Sequence, residues 1–243
     1  MRQLARTTWT CAVLLLTTLG LAGAQGFGFS PTVMNINAAG NLATQTTMVN
    51  AGRTPARFTV IVRAWKMTGG RTVLEETRDV VVNPANFTLA PGASQVIRVG
   101  LRKKPGAQEL TYRVFVQEVP SDSTAKTTAP VGDGLSADLN LAVAFSLPVY
   151  VTPPTAKAAV TTTVKRDGAD VLVTFANAGT KRATYNNLTA LLGDTSRALS
   201  SFAVLAGADY TVRIPGLARA GAALTLTYRN ADGQDVRETV TVP

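Results

Sequence analysis

Residues 139–153 read LNLAVAFSLPVYVTP, and the alternation in this stretch organises the reading of the whole chain. Leu139, Leu141, Val143, Phe145, Leu147, Val149 and Val151 occupy odd positions, while Asn140, Ala142, Ala144 and Ser146 occupy the even ones up to Ser146. Successive side chains of a strand point to opposite faces, so the pattern predicts one long strand with a strongly apolar face. Pro148 has no N–H to give a ladder, which places that part of the strand at an edge or a bulge. A long apolar edge is a hazard that proteins usually shorten, charge or cover. Either the apolar face lies in the chain's own core, or the strand is one that can be lent to another protein.

The first residues, MRQLARTTWTCAVLLLTTLGLAGAQG, have the make-up of a secretory signal peptide over residues 1–24. Arg2 and Arg6 precede an apolar run, and Ala22-Gly23-Ala24 supplies small residues for cleavage. The run is too short and wrongly flanked for a membrane span, and no other stretch is long and apolar enough to cross a bilayer. Cys11 is the only cysteine and would leave with the signal. The expectation is therefore an exported protein with no disulfide and no stable membrane insertion, held together by burial alone. Without Arg2 and Arg6, the 24 basic side chains become 22 against 15 acidic ones, a net of +7. These cations are scattered, with one short cluster at Arg102-Lys103-Lys104, and no basic stripe interleaved with aromatics points to nucleic acid.

The chain contains no histidine. That removes Ser-His-Asp and Cys-His catalysis and every histidine metal site. Its carboxylates, such as Glu75, Asp79 and Asp167, lie mostly near turns or ends, and no two of them stand out as a catalytic pair. Asp133-Gly134, Asp167-Gly168 and Asp232-Gly233 read as turn dipeptides. No phosphate-binding or dinucleotide glycine motif is present. The chain is expected to be neither an enzyme nor the holder of a cofactor or metal.

From Gln25 onward the sequence is rich in Val, Thr, Leu and Ala in short runs, punctuated by Gly, Pro, Asn and Asp. No stretch sustains a helical period with caps, so the class expected is all-β. Strands are expected near 29–37, 43–50, 56–67, 73–82, 86–89, 95–101, 110–118 and 139–151. Pro120–Ala137 is small and polar, and reads as a mobile surface loop. Thr152-Pro153-Pro154-Thr155 is a stiff connector. More strands are expected near 159–166, 170–176, 184–192, 202–205, 210–214, 223–228 and 236–242. Two β-sandwich domains, 25–152 and 156–243, follow from this division. Asn50-Ala51-Gly52 and Asn177-Ala178-Gly179 fall at equivalent places in the two halves, which hints at two copies of one fold.

Four stretches in a fixed order resemble the PapD-like assembly chaperones of the chaperone–usher pathway. They are Val49-Asn50 with Pro55 and Trp65, then Pro84–Gly92 leading into Val96-Ile97-Arg98-Val99, then Tyr112–Pro120, and last the organising strand running into Tyr150 and Thr152-Pro153. The resemblance covers most of residues 28–154. It implies a boomerang of two immunoglobulin-like domains, with Trp65 as a core tryptophan of the first. It also implies a strand lent to a pilus or fibre subunit that lacks its own last strand, before assembly at an outer-membrane usher. By that resemblance Leu139, Leu141, Val143 and Phe145 are the subunit-binding residues, and the polar loop before them is kept free for the client.

Members of the family clamp the subunit's terminal carboxylate with an Arg on the first strand and a Lys on the last. Here the matching positions hold Val33 or Met34 and Pro148, and Thr152 stands where an Arg commonly precedes the linker. The resemblance therefore supplies no cleft cation. The pattern is closer to the divergent branch that serves simple polyadhesive or spore-coat-type fibres. Two other readings stand beside this one. One is a secreted structural or adhesive envelope protein of two immunoglobulin-like domains with no client. The other is a carbohydrate or small-ligand module, which the 6% aromatic content disfavours.

Overall fold

A computed structural model of the chain describes residues 26–120, 126–132, 135–140 and 142–243. The described residues form strands and turns with no helix. In chain order the first strands are β1 (Phe27–Ser30), β2 (Met34–Asn37), β3 (Ala43–Asn50), β4 (Ala56–Thr68), β5 (Arg71–Glu76) and β6 (Val80–Asn83). Then come β7 (Asn86–Leu89), β8 (Ser94–Leu101), β9 (Leu110–Glu118), β10 (Lys126–Gly132), β11 (Leu135–Asn140) and β12 (Ala144–Thr152). The second half holds β13 (Val160–Asp167), β14 (Asp170–Asn177), β15 (Ala183–Leu192), β16 (Thr195–Ala198) and β17 (Phe202–Val204). It ends with β18 (Asp209–Ile214), β19 (Ala223–Arg229) and β20 (Asp235–Thr241).

The first sandwich packs the sheet β1-β3-β8-β6 against β2-β12-β9-β4-β5, with β7 also on β4. Alternation places Tyr112, Val114 and Val116 of β9 in the space between the sheets, with Leu147, Val149 and Val151 of β12. Ile97, Val99 and Met48 meet them from the opposite sheet, all at 0% exposure. The second sandwich sets β13-β14-β18 against β16-β15-β19-β20, around Phe175, Tyr185, Leu188 and Leu226. Both are immunoglobulin-like domains.

Three of the expected long strands are each split in two. The first divides at Pro31, which cannot donate to a ladder: β1 pairs with β3, whereas β2 crosses to the other sheet and runs parallel to β12. The stretch at 73–82 divides at Thr77-Arg78-Asp79, where the Thr77 hydroxyl accepts the Asp79 N–H at 3.1 Å. Asp79's C=O then takes the N–H of Arg102, so β6 joins β8 and not β4.

The organising stretch is the third. Its one expected strand becomes β11 and β12, and β11 pairs with β10 in a separate hairpin. The reason lies at Val143, whose N–H turns to the Glu118 carboxylate at 3.2 Å while its C=O accepts the Glu118 N–H at 2.8 Å. A side-chain acceptor has replaced the ladder there. The expected loop at 120–137 accordingly holds β10 and the start of β11, because threonine-rich segments pair through their backbone without needing an apolar face.

The two Asn-x-Gly segments fold alike. Asn50 and Asn177 are both buried at the end of a strand, each accepting from the glycine two residues on, at 2.9 and 3.0 Å. Each also donates to the carbonyl four residues on, at 2.8 and 2.9 Å, and to carbonyls of a neighbouring segment: Leu89 for Asn50, Val204 and Leu205 for Asn177. Asn50→Ala and Asn177→Ala should each lower stability by about 2–3 kcal/mol, since several buried backbone groups lose their partner at once. Urea unfolding measures it, and a change below about 0.5 kcal/mol would show that the corner holds without its amide.

Candidate functional site

β12 is the strand on which the candidate site is built. The Glu118-to-Val143 bond sets the phase of the β9–β12 ladder, so odd positions turn their backbone groups toward β9. Ala144, Ser146 and Pro148 turn theirs the other way. On that side β2 begins only at the Met34–Val149 pair. Among the described residues no strand lies beyond Ala144–Pro148, so this length of β12 is an open edge. Pro148 sits on it, its missing N–H directed where no ladder needs it.

The four sequence-expected binding residues occupy different surroundings. Leu139 is the fifth residue of β11, and Leu141 lies outside the described residues. Val143 is half-buried against the first core. Phe145 is half-buried too, its ring 4.9 Å from Phe29 and 6.1 Å from Phe27. Leu147, next in the alternation, is 6% exposed and wholly a core residue. Val143 and Phe145 thus rest on their own domain, not on solvent.

Below the open edge lies a cleft of about 420 Å³ between the two sandwiches, lined by Val33, Trp65, Arg113 and Tyr150 of the first and by Arg182 and Thr184 of the second. Trp65 is not in the core of the first domain as expected. It is buried at 5% exposure in the cluster built on the second sandwich, 6.0 Å from Tyr150. β4 is long enough to carry it past the first core to the junction. The Arg113 guanidinium covers its ring at 3.9 Å, and Arg182 covers Tyr150 at 3.5 Å.

These two cations differ in what neutralises them. Arg182 is buried and bonded to Glu109, which is itself 4% exposed. Glu109 also accepts the Arg182 backbone N–H at 2.9 Å and the Thr152 hydroxyl at 2.6 Å, while Arg182 reaches Asn35 at 3.3 Å. Thr152, where the resemblance led one to look for an arginine, therefore helps join the domains. Arg113 has no carboxylate partner among the described residues. Burial lowers its pKa from the ordinary value, and Tyr150 opposes that shift. The Trp65 indole N–H and the Thr184 hydroxyl are buried without a partner in the structure. The indole and the guanidinium can only donate, and the hydroxyl can do so, so the cleft wall offers donors that lack an acceptor.

Sequence reasoning found the strand but missed Glu109, Arg113 and Arg182. Arg113 left a signal: it is the one cation in the apolar run YRVFV and points to the face opposite Tyr112 and Val114. Arg182 left none, because its role depends on the second domain's placement.

Residues 26–157 match the model of the pili and flagellar-assembly chaperone family, PapD N-terminal domain. The chain belongs to that family. No curated protein matches it by sequence. Among solved structures it is similar to the CsuC–CsuE chaperone–tip adhesion subunit pre-assembly complex from archaic chaperone–usher Csu pili of Acinetobacter baumannii. That match has 17% identity and a TM-score of 0.65, covering 89% of this chain and 98% of that one. It is also similar to the Salmonella enterica SafA pilin complex with the SafB chaperone, at 16% identity and a TM-score of 0.60 over 89% and 96% of the two chains. The E. coli chaperone DraB matches at 15% identity and a TM-score of 0.58, over 90% and 97%. At these identities the likeness is one of fold, and it extends over both domains of this chaperone-family chain.

Proposed function

We propose that this chain is a periplasmic chaperone that holds fibre or pilus subunits by strand addition at β12 before they reach an outer-membrane usher. The observation that carries this reading is the open edge at Ala144–Pro148, set beside a cleft whose donors lack an acceptor. A subunit strand laid along that edge pairs with the outward backbone groups of Ala144 and Ser146. Leu139 and Leu141, in the segment that leads into β12, fill the subunit's groove, while Val143 and Phe145 keep their places on the first core and hold the strand to its own domain. The acceptor that suits Arg113 and Trp65 is a carboxylate, such as a polypeptide terminus, so the anchor stands on β9 and β4 and not on the first and last strands. Export by residues 1–24, and a division into domains 25–152 and 156–243, belong to the same reading. Among the described residues no helix is long and apolar enough to cross a membrane.

The test is co-expression with small secreted β-proteins encoded beside the gene, followed by pull-down. Capture of such a subunit is the expected result. Arg113→Ala should weaken it by about 2 kcal/mol, roughly thirtyfold, while the free protein loses only the roughly 0.5–1 kcal/mol that the cover of Trp65 supplies. If no subunit is retained under any pairing, the client-free envelope protein becomes the better description. If capture ignores Arg113→Ala, the carboxylate is anchored elsewhere.

A further inference from the structure

At the far side of the same sheet from β12 lies β5, the outermost strand of the order β2-β12-β9-β4-β5. Every residue of it, RTVLEE from Arg71 to Glu76, is exposed, including Val73 at 36% and Leu74 at 42%. It joins β4 through the two-residue turn Gly69-Gly70, both with positive φ, and Thr68 faces Arg71 across the closing pair. In such a hairpin the closing pair exchanges both backbone bonds. Arg71, Val73 and Glu75 therefore direct their backbone groups to β4, while Thr72 and Leu74 direct theirs outward. Among the described residues nothing pairs with that outer side.

We infer that β5 pairs with β5 of a second copy of this chain, in an antiparallel two-fold dimer that continues the sheet across both molecules. Two-fold symmetry across a sheet requires an axis normal to it, so a residue can oppose itself or one an even number of positions away. Centred on Val73, the register sets Val73 against its own mate and Thr72 against Leu74, whose outward N–H and C=O groups then bond across the junction. The same register sets Arg71 against Glu75 of the second copy, twice, on one face of the sheet.

No neighbouring register does this. Centring on Leu74 places Val73 against Glu75 and Arg71 against Thr77; centring on Thr72 places Arg71 against Val73. Arg71 has no ion pair among the described residues. Glu75 holds Lys66 at 2.7 Å, with 48% of its side chain still exposed and able to take a second cation. Opposite charges directly across a strand pair stabilise it, and like charges oppose it. The pairing covers two exposed apolar side chains and an unpaired ladder that would otherwise be an aggregation hazard. It does not rest on the client-binding reading, because β12 at the other edge stays open.

Sedimentation equilibrium of the mature chain, from micromolar to several hundred micromolar, tests the inference. A reversible dimer that weakens with added salt is expected. Arg71→Glu should raise its dissociation constant about tenfold or more, and adding Glu75→Arg should restore it. Leu74→Pro should abolish the dimer without lowering the melting point, since it deletes an N–H that β4 does not use. Should that proline lower the melting point, the charge swap still decides the matter. A chain that stays monomeric throughout would overturn the inference and assign the β5 charges to keeping other strands away. A dimer indifferent to both the proline and the charge swap would overturn it too, by placing the interface elsewhere.

Discussion

Glu109→Ala is expected to cost the free protein about 3–5 kcal/mol, a fall in melting temperature on the order of 10 °C. The carboxylate stands just before β9 and is wholly enclosed, with the Arg182 guanidinium, the Arg182 backbone N–H and the Thr152 hydroxyl all directed at it. Removing it leaves a buried guanidinium over Tyr150 with only Asn35 to hold it, and leaves two further donors without an acceptor. A buried charge that has lost its partner is far more costly than one never placed there. Glu109→Met with Arg182→Met should therefore recover much of the loss, because both charges leave together. Calorimetry on the two singles and the double gives the coupling. A loss below about 1 kcal/mol for Glu109→Ala would mean that water reaches Arg182 and that the junction is looser than its geometry.

The second large effect separates residues that the sequence pattern treats as equivalent. Phe145→Asp should destabilise the free chain by about 2–4 kcal/mol, because its ring packs on Phe29 and Phe27 and a carboxylate there has no donor. Leu141→Asp should leave the melt of the free chain nearly unchanged and remove about 3–4 kcal/mol of subunit binding, since the charge would enter an apolar groove unpaired. Thermal melting paired with client pull-down reads both. If Leu141→Asp collapses the melting point, Leu141 is a core residue and the lending segment is set one or more positions away. If Phe145→Asp melts normally and loses the client, Phe145 is released from its own core on binding. Together the two variants locate the point on the chain where the domain's own packing gives way to the partner's.

How much of this was legible in the sequence follows from the range over which each feature acts. The all-β class and the two sandwiches came from alternation and turn residues, which are local, while the immunoglobulin-like character and the family came from the resemblance that four short segments in a fixed order carry. Pro148 marked an edge for a local reason as well, since a missing N–H is the same wherever the chain lies. Asn50 and Asn177 announced their corners because each ties its own turn together through bonds only two and four residues along the chain.

Where one strand ends and another begins on a different sheet was decided by tertiary partners. The apolar run at 139–151 looks continuous by period, but Glu118, 25 residues earlier, takes the Val143 N–H and stops the ladder. The cleft was out of reach for the same reason. Glu109 and Arg182 are 73 residues apart, and Trp65 could be recognised as buried but not as buried against the other domain. Periodicity records which face of a strand avoids water; only the folded chain decides which molecule, or which domain, supplies the surface that covers it.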